Sequence, residues 1–309
     1  MRSKHELHAA IAQRRKAVLV VNTRSRRGQR LYQAATTQLQ TAGFSLLGSF
    51  PVGQPSRLEA TLAAALDLQP DLLIAAGGDG TLSLAARHLA YRDAALGVLP
   101  LGTTNNFART LGIPLRLAGA IGVLTGGKVA DVDLGEANGT YFANLASTGL
   151  SGDVAATAPP GLKRLLGQAA YPLTALALLP RHHPFQATIT ADGQDRTLTT
   201  RQLNIANGSF HAARPITADA SADDRLLLAY TLGGSSRASL IRATIRHALG
   251  GARRSYAEPA FLATGELVLH TTPSLPLVID GEIHGRTPAR ITLAPNALRV
   301  MVAQGFTDT

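Results

Sequence analysis

The chain has 309 residues, of which 45% are hydrophobic and 16% charged, and it contains no cysteine. This composition is typical of a folded globular protein and excludes a largely disordered chain, a disulfide scaffold and any site built on thiolates. The length predicts two domains, and the formal net charge is +10.

The N-terminal arm is strongly basic. Residues 1–30 carry nine Lys or Arg against one acidic residue. One interpretation is a contact with anionic lipid headgroups or nucleic acid. The other is a solvated tail, with three of the arginines in a phosphate-binding loop.

No segment resembles a signal peptide or a membrane span. The N-terminus lacks an apolar core, and the apolar run over residues 169–180 is too short to cross a bilayer. We therefore expect a soluble, cytoplasmic protein that is at most peripheral at the inner face of the membrane.

The first 130 residues repeat one pattern three times: an apolar run, a polar loop and a helical segment. The runs lie at residues 17–22, 71–76 and 96–101, and the loops read TRSRRG, GGDG and GTT. Such β–α alternation predicts a Rossmann-like parallel sheet with helices on both faces. Ligands of these sheets bind at the carboxyl ends of the strands, where the three loops fall.

Beyond residue 130 the apolar segments become short and alternating, and turn residues divide them. This pattern predicts an antiparallel β-sandwich or barrel. Helical segments interrupt it at about residues 161–179 and 236–249. The fold class is therefore α/β, with a parallel-sheet domain followed by an antiparallel β-sandwich domain.

The most informative motif is Gly77-Gly78-Asp79-Gly80-Thr81, after the second apolar run. Glycines let backbone N–H groups approach phosphate oxygens, and Thr81 could cap the following helix, whose N-terminus favours an anion. A carboxylate repels phosphate, so the natural partner of Asp79 is Mg²⁺ bound together with phosphate oxygens. The motif predicts a metal–nucleotide site, and the alternative is a simple turn between strand and helix.

Two further loops carry related chemistry. The loop at residues 102–106 (GTTNN) offers a glycine, two hydroxyls and two amides, although polar residues before a helix are common by themselves. The loop at residues 22–28 (NTRSRRG) adds three guanidinium groups suited to phosphate oxygens, or else is a solvated basic loop.

Asp280-Gly281-Glu282 lies between two apolar segments. Asp-Gly in this setting is a strong hairpin-turn signal, and local chemistry favours that interpretation. The alternative is a general base that takes a proton from an attacking hydroxyl.

These motifs, in this order, closely resemble the bacterial soluble lipid kinases, which share the diacylglycerol kinase catalytic domain with sphingosine and ceramide kinases. The resemblance covers nearly the whole chain. It rests on VVNTRSRRG, GGDGT, PLGTTNNFAR, VDLGEANGTYFANLASTGLSGDV, ADASADDRL and the late Asp-Gly-Glu. It implies a nucleotide-binding domain over residues 1–130, completed by residues 290–309, a β-rich lipid-substrate domain over residues 131–289, and an active site in the cleft between them.

The resemblance also implies roles for individual residues. Asp79 resembles the residue that organises Mg²⁺, and Asp133 resembles a residue that supports it indirectly. Asp280 resembles the catalytic base, with Glu282 beside it. The implied nucleotide contacts are Asn22, Ser25, Arg27, Gly77, Gly78, Asp79, Gly80, Thr81, Gly102, Thr103 and Asn106. A structural Mg²⁺ site of some members falls near Asp219, Asp223 and Asp224, where Arg225 replaces a glycine; Asn106 stands where many members have aspartate.

We therefore expect ATP- and Mg²⁺-dependent phosphorylation of a lipid hydroxyl, with a diacylglycerol-like acceptor and peripheral contact with an anionic membrane. The alternatives are a kinase with the same motif that acts on a soluble acceptor, as NAD kinases do, and a catalytically silent nucleotide-binding regulator. A nucleic-acid partner is not expected, because aromatic residues make up 5% of the chain and Trp is absent. A homodimer is compatible with the sequence.

Overall fold

The protein is described from a computed structural model. The structure describes residues 2–24, 28–157, 174, 177–178, 182–211, 214–215, 225–231 and 261–308. Five predicted site residues lie outside these ranges, namely Ser25, Arg27, Asp219, Asp223 and Asp224. The helices predicted at about residues 161–179 and 236–249 also lie outside them, apart from residues 174, 177 and 178.

The chain divides into two compact units. The first contains Met1–Leu134 and Pro295–Thr309, and the second contains Gly135–Ala294. Two strands, β5 (Lys128–Ala137) and β18 (Ala289–Val302), run from one unit into the other.

The first unit is built on a parallel sheet. Its strands are β1 Lys16–Asn22, β2 Ser45–Val52, β3 Leu72–Gly77 and β4 Ala95–Pro100, and its helices are α1 Lys4–Arg14, α2 Gly28–Thr41, α3 Leu58–Asp67, α4 Asp79–Leu89, α5 Asn106–Thr110 and α6 Leu117–Gly126, with a 3-10 turn at Pro55–Arg57. The strand order is β2-β1-β3-β4, and the end of β18 pairs with β4.

The three apolar runs of the sequence form the central strands of this sheet. Every residue of β3 and of β4 is buried, because neighbouring strands flank each edge and helices α4 and α6 pack against them. This arrangement confirms the predicted parallel sheet. Strand β2 and helix α3 were not predicted individually.

Within the N-terminal arm, residues Lys4–Arg14 form helix α1, so this part of the arm is not a solvated tail. Ser3 and Glu6 form a capping box, in which each side chain accepts from the other residue's backbone N–H. Leu7 and Ile11, four residues apart on one face, are 0% and 2% exposed. The helix is therefore packed on the first unit by its apolar face.

Ion pairs within the first unit also hold α1 and Arg2, which precedes it. They are Arg2–Asp71 (2.7 Å), Arg2–Asp93 (2.9 Å), Arg14–Asp71 (3.1 Å) and Lys4–Asp308 (2.7 Å). The carboxylate of Asp308 also pairs with Lys128 at 2.8 Å, which ties the end of the chain to α1 and β5. Part of the positive charge of the arm is thus neutralised inside the unit.

The second unit is an antiparallel β-sandwich. Besides the ends of β5 and β18, its elements are β6 Thr140–Phe142, β7 Leu145–Gly149, α7 Leu150–Thr157, β8 Phe185–Ala191, β9 Gln194–Thr200, β10 Gln202–Ala206, β11 Phe210–His211, β12 Arg214–Pro215, β13 Leu227–Thr231, β14 Leu262–Thr264, β15 Glu266–Thr272, β16 Pro276–Ile279 and β17 Glu282–Arg286.

One sheet has the order β14-β13-β10-β7-β16-β17, and the other contains β18, β15, β8 and β9. Alternating side chains of both sheets meet in one apolar core, for example Leu203 and Ile205 of β10 with Leu267 and Leu269 of β15. The predicted antiparallel sandwich is confirmed. None of the helices in the described part of the chain has the length and apolarity needed to span a bilayer.

Candidate functional site

The loop at residues 77–81 lies where β3 gives way to α4. Gly77 ends the strand, and Gly78 is the N-cap residue of the helix. A Cβ on Gly77 would lie 2.5 Å from the Thr81 side chain, so only glycine fits there. The expectation that Thr81 caps α4 is wrong, because the cap has no side-chain hydrogen bond and the Thr81 hydroxyl instead accepts one of 3.0 Å from the Asn22 amide.

The loop at residues 102–106 lies against the loop at residues 77–81. Because β3 and β4 are neighbouring parallel strands, their carboxyl ends share one edge of the sheet. A Cβ on Gly102 would lie 2.5 Å from the Cα of Gly78, so this approach of two backbones requires glycine. A Cβ on Gly80 would meet nothing within 4 Å, and this glycine leaves open space beside the first turn of α4.

Asp79 joins the two loops. Its Oδ2 accepts a hydrogen bond of 2.6 Å from the Thr104 hydroxyl, and its Oδ1 accepts one of 3.1 Å from the backbone N–H of Phe107. A carboxylate offers about four lone-pair positions, so these two bonds leave acceptor capacity on both oxygens. Asp79 therefore sets the position of the second loop as well as presenting a negative charge.

Asn105 shapes the second loop from within. It is 3% exposed and has a left-handed backbone with φ of 49°. Its side chain accepts from the N–H of Gly102 and donates to the carbonyl of the same residue, both at 2.9 Å. From the sequence, Thr104 and Asn105 were part of a polar loop, but neither was predicted as an individual site residue. The signal for Asn105 was its residue type, since asparagine is among the few residues that tolerate a positive φ.

The other predicted nucleotide-binding residues of these loops differ in how far they are exposed to solvent. Asn22 ends β1 and reaches Thr81, so the first loop begins beside the loop at residues 77–81. Thr103 is exposed, and Asn106 is half-buried as the first residue of α5. The structure thus brings Asn22, Asp79 and Thr81 together with Gly102.

Asp133 lies on β5 and is 1% exposed. Its Oδ1 accepts a hydrogen bond of 2.9 Å from the backbone N–H of Asn296, where the chain returns to the first unit. Within the described ranges, no three His, Asp or Glu side chains cluster closely enough to hold a metal ion.

Asp280 and Gly281 form the turn of the β16–β17 hairpin in the second unit. Their φ values are 47° and 93°, as a type I′ turn requires, so the hairpin signal is confirmed. The Asp280 carboxylate also accepts three backbone N–H bonds, from Ala143 at 2.8 Å and from Asn144 and Leu145 at 3.0 Å each. Its partners lie more than a hundred residues away along the chain, so a local turn does not account for this side chain.

Glu282 follows the turn as the first residue of β17. Its side chain is 78% exposed, and its Oε2 lies 3.8 Å from Nε2 of His284. Unlike Asp280, it is a surface carboxylate whose position no short hydrogen bond in the described ranges fixes.

Two family models match this chain. Residues 16–137 match the model of the diacylglycerol kinase catalytic domain, and residues 144–302 match the model described as the YegS C-terminal NAD kinase beta sandwich-like domain. A diacylglycerol kinase of Bacillus subtilis is 33% identical over 225 residues, which cover 71% of this chain and 73% of that protein. The chain belongs to the diacylglycerol kinase family.

Two further proteins match a larger share of this chain. A diacylglycerol kinase of Staphylococcus epidermidis is 31% identical over 293 residues, or 89% of this chain and 88% of that protein. A solved structure of a diacylglycerol kinase from Bacillus anthracis has a TM-score of 0.73 at 23% identity and covers 93% of this chain and 97% of that chain. This likeness supports the fold of both units.

Proposed function

We propose that the protein transfers the γ-phosphoryl group of ATP to the hydroxyl of a diacylglycerol-like lipid in a Mg²⁺-dependent reaction. The observation that carries this proposal is the joining of two glycine loops by Asp79 at the ends of β3 and β4, in a chain of the diacylglycerol kinase family. Phosphoryl transfer needs mainly positioning and charge neutralisation, and such loops can supply both.

The nucleotide phosphates would bind at residues 77–81, with contributions from residues 22–28 and 102–106. Open space at Gly80 beside the N-terminus of α4 suits an anion, since the helix dipole and unpaired N–H groups favour negative charge there. Asp79 would hold Mg²⁺ together with phosphate oxygens, and the remaining acceptor capacity of its carboxylate fits this role. When bound, the ion supplies neutralisation of the charge on the transferred group.

Asp280 is proposed as the group that accepts the proton of the lipid hydroxyl, with Glu282 beside it. A general base must be ionised and held in one orientation. Three backbone N–H donors stabilise the anionic carboxylate of Asp280 and fix its plane. Glu282 is exposed and lacks such support, so it is the weaker candidate.

The proposal includes contact with an anionic membrane, but through a folded helix and not through a free tail. Helix α1 is docked on its own unit, so it cannot act as a free polybasic tail while it remains folded there. Binding to anionic vesicles would depend on the cations that α1 leaves exposed, such as Arg14, whose side chain is 48% exposed.

The test uses purified protein, γ-labelled ATP, a Mg²⁺ titration and a panel of acceptors. The panel contains dioctanoylglycerol, ceramide and sphingosine in mixed micelles, with NAD and sugars as soluble acceptors. We expect label in dioctanoylglycerol only when Mg²⁺ is present, and none with Asp79→Ala. Transfer to NAD or a sugar alone would reject the lipid acceptor, and nucleotide binding without any transfer would favour the silent regulator.

A further inference from the structure

A long uncharged stretch forms one edge of the first unit. Residues 31–56 contain no Asp, Glu, Lys, Arg or His, whereas 16% of the whole chain is charged. This is the longest stretch of its kind in the sequence. It comprises most of α2 and all of β2, Ser45–Val52. In a protein with a net charge of +10, this segment stands apart from the rest of the chain by its lack of charge.

Strand β2 is the outermost strand of the parallel sheet. Within the described ranges it pairs only with β1, so the backbone N–H and C=O groups along its other side have no strand partner there. An open edge of this kind is a template for pairing with another chain, and proteins commonly protect it with Lys or other charged residues. Strand β2 carries no such charge.

Exposed apolar side chains accompany this open edge. Leu47 of β2 and Leu68, which follows α3, are 41% and 43% exposed. They belong to one patch, because a Cβ on Gly48 would lie 3.1 Å from Cδ1 of Leu68 and 2.6 Å from the ring of Phe50. Clustered exposed apolar side chains indicate a binding surface, whereas isolated ones do not. We call β2 together with Leu68 the neutral edge.

We propose that the neutral edge is the interface of a homodimer, in which β2 pairs antiparallel with β2 of a second copy. A two-fold axis perpendicular to the sheet makes the two strands antiparallel and gives both copies the same contacts. The parallel sheets of the two first units then join into one sheet through main-chain hydrogen bonds. This inference goes beyond the proposed kinase activity and does not depend on it.

The charge distribution selects a second copy as the partner. Anionic membranes and nucleic acids are bound through cations, which the neutral edge lacks. The hydrocarbon of a bilayer offers no hydrogen-bond partner for the backbone groups of an open strand. Two copies with a net charge of +10 repel each other, so they approach most easily where neither presents a charge.

The local geometry of β2 places the axis at Ser49. The register with β1 shifts at Leu47, and Pro51 has no backbone N–H, so the regular segment runs from Gly48 to Phe50. An axis at Ser49 pairs Gly48 of each copy with Phe50 of the other. Both Phe50 rings then lie on one face of the strand pair, where aromatic side chains pack favourably.

The cations beside the neutral edge do not oppose this pairing. Lys16 on β1 is exposed and pairs with Ser45 at the amino end of β2. The half-buried Arg15 donates from its guanidinium group to the carbonyl of Ala42. In the antiparallel pair the two Ser45 residues are about 25 Å apart at about 3.3 Å per residue, several Debye lengths at physiological salt. The two copies of Lys16 therefore do not meet.

The test measures the oligomeric state of the full chain. Sedimentation velocity of the wild type from about 1 to 100 µM covers micromolar affinities, and we expect a dimer that dissociates on dilution. Leu47→Lys places a cation on the open edge, which is how natural edge strands avoid pairing, and should raise the Kd of the dimer at least about tenfold. Leu68→Lys is the second variant and should act in the same direction.

Leu115→Lys is the matched control. Leu115 lies between α5 and α6, outside the neutral edge, and is 39% exposed. The substitution adds the same charge to a leucine of similar exposure, so it should change the Kd by less than about twofold. Hydrogen–deuterium exchange locates the interface, because the outward N–H groups of β2 should exchange more slowly at high concentration in the wild type and not in Leu47→Lys.

Four results would overturn the inference. The first is a wild type that stays monomeric at the highest concentration. The second is a dimer that Leu47→Lys and Leu68→Lys leave unchanged, since its interface would lie elsewhere. The third is equal weakening by Leu115→Lys, which would reduce the effect to general repulsion. The fourth is a monomer whose binding to uncharged phosphatidylcholine vesicles is lost in Leu47→Lys, which would assign the patch to lipid.

Discussion

Replacing Asp280 by asparagine tests the three-amide contact of its carboxylate directly. The turn itself should tolerate the change, because asparagine adopts a positive φ readily and the chain already uses Asn138-Gly139, with φ values of 49° and 83°, in another hairpin. The carboxylate contacts should not tolerate it. One side-chain oxygen becomes an NH₂ group that faces a backbone N–H.

The magnitude follows from the hydrogen bonds. If the amide oxygen stays on Asn144 and Leu145, the bond from Ala143 is lost and the other two become neutral. A hydrogen bond to a charged group contributes about 1.5–3 kcal/mol and a neutral one about 1 kcal/mol. Since Asp280 is only half-buried and water can replace part of this loss, we expect about 3 kcal/mol of destabilisation.

Asp192→Asn is the control. Asp192-Gly193 forms the same type of turn between β8 and β9, with φ values of 52° and 73°, and Asp192 is exposed. Its carboxylate makes no hydrogen bond within the described ranges, so the change should fall within about 0.5 kcal/mol. Urea unfolding followed by circular dichroism measures both variants. Equal midpoints for Asp280→Asn and the wild type would refute the hydrogen-bond argument.

The same variant tests the proposed base when it is assayed well below its unfolding midpoint. Loss of a general base lowers kcat by roughly a hundredfold or more and removes the acid limb of the pH profile of kcat/KM. A residue that only positions the start of β7 would lower the rate and leave that limb in place. Persistence of the acid limb would therefore count against Asp280 as the base.

Three further predictions concern the first unit. Thr104→Val removes the hydroxyl that is bonded to Asp79, so it should raise the KM for ATP and lower the melting temperature. The control Thr103→Val should change only the KM. Equal melting temperatures for the two variants would contradict the contact between the loops. Desolvation raises the pKa of Asp308, but the hydrogen bonds from Lys128 and Lys4 outweigh it and lower the pKa below its usual value. Its stabilising effect is then present above the unfolded-state pKa and is lost as the pH falls through the folded-state pKa, so the stability gap to Asp308→Asn should shrink steadily in urea titrations from pH 6 to about pH 3. Deleting residues 2–15 should destabilise the protein by about 3–6 kcal/mol. The reason is that two buried aliphatic side chains of α1 are removed, and the burial of each contributes about 1.5–3 kcal/mol. A deletion that reduced vesicle binding without changing stability would restore the free-tail interpretation.

The sequence by itself determined the classes of structure and the family. Runs such as residues 72–76 are apolar throughout and precede glycines, and this pattern predicts a buried parallel strand. Short alternating segments predicted the sandwich for the same reason, since side-chain periodicity is a local property. The turn at Asp280-Gly281 was also visible locally, because only a few residues adopt a positive φ.

The tertiary structure decided which polar groups meet. In the sequence Thr103 and Thr104 are chemically identical neighbours, and only the packing of two loops directs Thr104 to Asp79 and leaves Thr103 exposed. The basic arm could equally have been a solvated tail, until its cations met acidic partners far along the chain. Hydrogen bonds and ion pairs depend on short distances between residues remote in sequence, and no local period encodes those distances. For the same reason the sequence allowed Asp280 to be either a turn residue or a general base. Only the fold shows that its carboxylate accepts hydrogen bonds from three backbone N–H groups.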